Sequence, residues 1–251
     1  MNKDMKVKKI SLDNLLTDEN TEVINQMYEV YKVCFEGWKK DEFIQYLVKV
    51  GARPSQILLI FDKNDVVGYN IAIIRKFVLQ RKKVYVVSAD IALLPKYRGQ
   101  VANLIHIFLH GLLFKITHPF SRIVYVDIIM NYKMYQTMVN AVGLIPNPQQ
   151  EIPEGYKQII KEVVTSDGFK LEDNGYAVST HDKIHYQVPD ELKMRNLKLY
   201  QYFMEKTNNA TYGLTVLMPG TYLNVFKGLY KFILKKIGKQ YKRLHQAAGR
   251  N

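Results

Sequence analysis

Three apolar runs separated by short polar breaks limit what this chain can fold into. Residues 56–61, 66–77 and 84–94 are rich in Ile, Val, Leu, Phe and Tyr, and the breaks are Asp62-Lys63-Asn64-Asp65 and Arg81-Lys82-Lys83. Apolar runs of this length with turn residues between them predict an antiparallel meander. A meander needs helices to cover its apolar faces. Residues 21–35 carry Val23, Ile24, Met27, Tyr28, Tyr31, Cys34 and Phe35, and residues 41–50 carry Phe43, Ile44, Leu47 and Val48. Spacings of three and four put each set on one helical face, and Gly51 stops the second helix. Residues 6–12 fit a first strand. After the meander come a turn (95–100), an apolar helix (101–114), a strand (122–129) and a helix (132–142) ended by Gly143.

The expected fold class is therefore α/β in the α+β sense, a mixed and mostly antiparallel central sheet flanked by helices. Pro146-Asn147-Pro148 marks a boundary, giving a core over 1–148. Residues 149–251 should complete the sheet. Helix is expected over 155–164 and 189–206, a strand pair over 176–180 and 184–188, a strand over 213–217, and a long helix over 222–244.

With 251 residues, 47% hydrophobic and 24% charged, the chain can bury a substantial core and is not disordered material. The single cysteine, Cys34, excludes an intramolecular disulfide and fits core packing. The N-terminus is charged and lacks an apolar leader, and the uncharged run 101–114 is too short to span a bilayer. A cytoplasmic protein is expected, soluble or peripheral to a membrane. The net charge is +13, and nine of those charges come from residues 206–251, which contain no Asp or Glu. Charge is the sole nucleic-acid signal, so nucleic acid is not the expected partner.

Three stretches carry a family resemblance. Ile60 to Tyr69 is a turn leading into Val67-Gly68-Tyr69. Asp90 to Gly99 runs from a strand into Pro95-Lys96-Tyr97-Arg98-Gly99. Asn131 precedes a helix bearing Tyr135. In this order they resemble the GNAT (Gcn5-related N-acetyltransferase) superfamily, which includes the acyl-homoserine lactone and N-acyl amino acid synthase-like branch. The resemblance implies an N-acyltransferase that uses acetyl-CoA, a longer acyl-CoA or acyl carrier protein as donor and a small-molecule amine as acceptor. It implies that the donor's pantetheine arm lies along the backbone of Leu93 and Leu94. The free N–H groups of Gly99, Gln100, Val101, Ala102 and Asn103 at a helix start, beside Arg98, would grip its phosphates. Val101 and Asn103 stand where the family pattern has small residues, usually glycines. That departure restricts close backbone approach.

Transfer to an amine needs a base, and an acid for the leaving thiolate. Asp90, in an apolar strand just before the donor loop, is the leading candidate base, and burial there would raise its pKa; its other reading is a place on a polar face or a pair with a lysine. Asp127 on the neighbouring strand is a second candidate. By the resemblance, Tyr135 would reach the donor sulfur as acid, with core packing as its other reading. Asn131 would sit at the donor site or cap its helix. His106 and His110 share a helical face, and His181 and His185 share a strand face, but no third ligand accompanies either pair, so no metal is expected.

In the last helix Lys227, Lys231, Lys235 and Lys239 recur every four residues beside Tyr222, Phe226, Leu229, Tyr230, Ile233 and Ile237. This is a basic amphipathic helix. The first expectation is that the apolar stripe packs on the core. The alternatives are docking to an anionic membrane surface or to an acidic acyl carrier protein. A non-catalytic GNAT-like module that binds through this helix is the alternative to the enzyme.

Overall fold

The computed structural model describes residues 5–35, 37–51, 55–79, 81–98, 102–179, 189–231 and 233–234. Strand β1 (Met5–Ser11) leads into a short helix α1 (Leu12–Leu15), α2 (Thr21–Cys34) and α3 (Lys40–Gly51). The meander is β2 (Ser55–Asp62), β3 (Asp65–Leu79) and β4 (Lys82–Leu93). Then follow α4 (Ala102–Thr117), β5 (Arg122–Ile129), α5 (Tyr132–Val142) and α6 (Glu154–Ser166). The remaining elements are β6 (Lys170–Leu171), β7 (Ala177–Ser179), α7 (Asp190–Met194), α8 (Leu197–Lys206) and β8 (Gly213–Pro219). Residues 222–231 are also helical (α9), as are 233–234.

The eight strands form one sheet in the order β1-β2-β3-β4-β5-β8-β7-β6. Every described pairing is antiparallel except β4 with β5, which α4 connects. The mixed α/β class expected from the periodicities is the observed one.

Strand alternation divides the core between two faces. On one face, Ile57, Leu59, Ile71 and Ile73 pack against α1–α3 through Leu12, Met27, Tyr31, Phe43 and Leu47. Further along that face, Val84, Val86, Val124 and Val126 pack against Ile159, Ile160 and Val163 of α6. On the other face, Ile74, Val87, Ala89, Tyr125 and Val216 meet α4, α5, α8 and α9 through Phe108, Tyr135, Phe203 and Val225. Arg75 of β3 is buried on the α6 face and paired with Asp167, the C-cap of α6, at 2.6 Å.

Gly111 sets the height of α4 above the sheet. A Cβ at this position would lie 1.8 Å from the Tyr125 hydroxyl and 2.7 Å from Cζ of that ring. Only a residue without a side chain lets α4 settle onto β5 here. Gly111→Ala is expected to destabilise the fold by about 1–3 kcal/mol, since overpacking outweighs the gain in helix propensity. Urea denaturation checks this, and Tyr125→Phe in the same chain should recover part of the loss.

Several local expectations change. Leu12 opens α1 rather than closing β1, because the Ser11 hydroxyl accepts the Asn14 N–H and caps the helix. Over 189–206 there are two helices, not one: Asn196 interrupts them, and its side chain caps α8 by accepting the Leu199 N–H. Strand β7 pairs with β6 and β8, while 184–188, the expected partner, lies outside the described residues. In α9, Val225 and Leu229 are buried, whereas Phe226, Tyr230 and Ile233 are exposed. Among the described residues of the apolar stripe read from the sequence, Leu229 packs on the core and the rest do not; Ile237, Lys235 and Lys239 lie outside the described residues.

Candidate active site

The site follows from how β4 and β5 pair. They run in register from Val84 with Arg122 to Val87 with Tyr125, and there the pairing stops. Strand β4 continues to Leu93, held on its other side by β3, and β5 continues to Ile129, held by β8. The two strands therefore part at their C-terminal ends while each stays anchored to its other neighbour.

Backbone alternation decides what the gap presents. The Leu94 N–H donates to the Val67 carbonyl at 3.0 Å, which marks residues 94, 92 and 90 as those bonded to β3. Ala89, Ile91 and Leu93 then aim their N–H and C=O groups at the gap. Strand β4 ends at Leu93 and the next helix, α4, begins at Ala102, and the first amides of a helix have no partner within it. In chain order, a helix N-terminus thus follows β4.

Beside the gap is a cavity of about 50 Å³. Val87, Ala89 and Ile91 of β4, Tyr125 and Asp127 of β5, and Met134 and Met138 of α5 are among its lining residues. It is mostly apolar, and Asp127 is the acidic residue that lines it. One Asp127 oxygen accepts the Ile128 N–H at 2.8 Å. Burial pushes its pKa up to about 7; that hydrogen bond and the Arg75 charge pull it back, and Asp167 adds to the rise. A carboxyl that titrates near neutrality can take up and release a proton under ordinary conditions.

Tyr125 was not singled out from the sequence. Its hydroxyl is buried without a hydrogen-bond partner among the described residues, and burial raises its pKa. The available signal was alternation, because Tyr125 and Asp127 stand two apart on one strand and so share a face.

The expected site residues fall into separate places. Asp90 is half-buried and shares its strand face with Val86 and Ala92, the face covered by α1–α3 and α6. Asp90 and Asp127 therefore flank the parted strands from opposite faces of the sheet. Tyr135 lies fully in the core and donates its hydroxyl to the Pro146 carbonyl at 2.7 Å, while burial raises its pKa. In this arrangement its hydroxyl is committed and does not line the cavity, as expected for a packed core tyrosine. Asn131 accepts the Met134 N–H at 3.2 Å and caps α5.

The Leu93 carbonyl accepts from Arg98 Nε at 3.2 Å and from the Cys34 thiol at 3.3 Å, and the Leu94 N–H is taken by Val67. Those two groups already have protein partners, so of the described backbone groups that face the gap, those of Ala89 and Ile91 and the Leu93 N–H remain. The turn before α4 is tied down by the Tyr97 hydroxyl, which donates to Asp62. Arg98 is exposed beside it. Gly99, Gln100 and Val101 lie outside the described residues, and Ala102 and Asn103 form the first turn of α4. Cys34 is buried, and burial raises the pKa of its thiol.

His106 and His110 stack with ring centroids 6.3 Å apart, and neither Nε2 has a hydrogen-bond partner among the described residues. No group of three or more metal-ligating side chains occurs among the described residues, and His181 and His185 lie outside them. Burial, the neighbouring His110 and Lys9 lower the His106 pKa to about 4. The unfolded chain then takes up a proton near pH 6.5 that the folded chain refuses until about pH 4. The His106 contribution to stability is expected to fall as pH drops through that window. Urea midpoints of the parent and of His106→Phe at pH 7 and pH 5 check this: the variant should gain stability over the parent on going from pH 7 to pH 5.

No family model matches the sequence, and no curated protein does. Among solved structures, the chain is similar to a conserved protein of unknown function from Enterococcus faecalis V583, at 14% identity and a TM-score of 0.37, over 56% of this chain and 32% of that one. The chain thus spans about a third of that protein's length. It is similar to an aminoglycoside acetyltransferase from an uncultured soil metagenomic sample, at 10% identity and a TM-score of 0.37, over 61% of this chain and 95% of that one. It is also similar to glucosamine-6-phosphate N-acetyltransferase from Arabidopsis thaliana, at 13% identity and a TM-score of 0.35, over 53% of this chain and 88% of that one.

Proposed function

We propose that the protein is an N-acyltransferase of the GNAT kind that moves an acyl group from a thioester to an amine, with the thioester seated between β4 and β5. The observation that supports this most is the end of β4–β5 pairing at Val87 and Tyr125 while both strands run on. An extended thioester arm can take the hydrogen-bonding place that a paired strand would otherwise fill. The Ala89 and Ile91 backbone groups are its partners. The donor's phosphates then lie towards the start of α4, where the helix dipole and Arg98 favour an anion.

Asp127 is the proposed base. It stands at the cavity beside the gap, with a pKa near that of a useful proton acceptor. Its carboxylate takes a proton from the ammonium form of the acceptor, the neutral amine attacks the thioester carbonyl to form the C–N bond, the C–S bond breaks, and the proton that the attacking nitrogen sheds goes to the departing thiolate. Asp90, on the opposite face, is the rival for the same role. Asp127→Asn and Asp90→Asn, assayed side by side, decide between them.

The donor is a CoA thioester or an acylated carrier protein. Titration calorimetry with acetyl-CoA, a long-chain acyl-CoA and an acyl carrier protein distinguishes these. Binding of any one supports the reading, and heat from none of them removes it.

A further inference from the structure

Helix α4 and helix α9 leave an apolar surface that neither the core nor the proposed site uses. On α4, Leu109, Leu113 and Ile116 are exposed at spacings of four and three, which makes one stripe. The stripe runs out at Phe120, whose relative exposure is 102%. On α9 and just beyond it, Leu223, Phe226, Tyr230, Ile233 and Leu234 are exposed too, Leu223 at 75% and Tyr230 at 64%.

These two surfaces are neighbours. The Tyr222 hydroxyl donates to the Lys115 carbonyl, and the Lys115 ammonium sits 5.5 Å from the Tyr222 ring. The opposite edge of α9 faces α5, where Lys231 donates to the Asn140 carbonyl at 2.7 Å. With about 100° of turn per residue, Tyr222, Phe226, Ile233 and Tyr230 fall on the α4 side of the buried Val225–Leu229 line. Lys227 and Lys231 fall on the α5 side. The exposed apolar arcs of the two helices therefore adjoin, with lysines along one border.

We propose that this surface docks on an anionic phospholipid bilayer, with α4 and α9 lying in the interface rather than crossing it. Charge complementarity identifies the occupant. Residues 206–251 carry nine basic residues and no acid, and Lys235, Lys236, Lys239, Lys242 and Arg243 among them lie outside the described residues. Aliphatic and aromatic side chains bordered by lysines fit the boundary between headgroups and acyl chains. A side chain as proud as Phe120 needs no matching pocket in a bilayer, whereas a folded protein partner would have to supply one. No helix among the described residues is long and apolar enough to span a membrane. This inference does not depend on the transferase reading.

The test is co-sedimentation of the full chain with vesicles of phosphatidylcholine alone and of phosphatidylcholine with phosphatidylglycerol. Binding is expected with the anionic vesicles only, and it should weaken as salt rises. Phe120→Asp and Leu113→Glu, tested separately, are each expected to lower partitioning roughly tenfold or more. Both positions are exposed, and an unchanged melting temperature confirms an intact fold. Three results would overturn the proposal. The first is no binding to anionic vesicles. The second is binding that both substitutions leave unchanged, which would assign it to the basic segment alone. The third is a dimer, or a complex with an acidic carrier protein, that the same substitutions dissolve while the chain ignores vesicles.

Discussion

Asp127→Asn is expected to lower the rate of acyl transfer by about 10²–10⁴-fold while leaving donor affinity nearly unchanged. The carboxamide keeps the shape of the side chain and loses its basicity. In the parent protein the rate should climb as pH rises through about 7, where Asp127 gives up its proton. In the variant that limb should be flat. The same substitution has a stability signature that does not depend on turnover. A carboxyl whose folded pKa lies above its unfolded value of 3.8 keeps its proton in the folded chain while the unfolded chain has released it. The Asp127 contribution to stability therefore falls as pH rises from about 4 to about 7 and then levels off. Asn at 127 removes that slope, so the variant should gain melting temperature over the parent on going from pH 5 to pH 8. Loss of activity without that gain would mean that Asp127 is not the titrating group.

Asp167→Ala is expected to cost about 3–5 kcal/mol, the usual consequence of removing one partner of a buried ion pair. The Arg75 side chain is 6% exposed and that of Asp167 is 14% exposed, so the guanidinium left behind would have little access to water. Arg75→Met combined with Asp167→Ala should recover much of the loss, because no charge is then buried alone. The pair also bears on the site. Arg75 lowers the Asp127 pKa and Asp167 raises it. Asp167→Ala should therefore move the pH–rate limb downwards, and Arg75→Met should move it upwards. Denaturation midpoints measure the first effect, and pH–rate profiles measure the second.

The sequence made the scaffold legible where periodicity was strong. Helices at 21–34 and 132–142 and the strand at 122–129 stand where apolar spacing put them. Their signals are local, since apolar faces, capping residues and turns lie within a few residues of one another. What periodicity cannot give is the point at which two distant strands stop pairing, because pairing depends on partners far away in sequence. Which sheet face Asp90 takes was not legible for a related reason. Its strand is apolar on both sides, so burial alone did not say which side held the cavity. Tyr135 satisfies its hydroxyl on Pro146, a contact set by the chain's return after α5. The stripe on α9 was visible, but whether it meets the core was not, since Val225, Gly228 and Leu229 could be chosen as the packing face only once Phe108 and Val142 were in place.

The central claim is that an acyl thioester lies between the parted strands. Amide hydrogen exchange of the full chain, with and without acetyl-CoA or a long-chain acyl-CoA, tests it most directly. Slower exchange is expected at Ala89 and Ile91, together with the first turn of α4, and little change along β1 and β2. Unchanged exchange at Ala89 and Ile91 under saturating donor, or protection confined to α9, would contradict it.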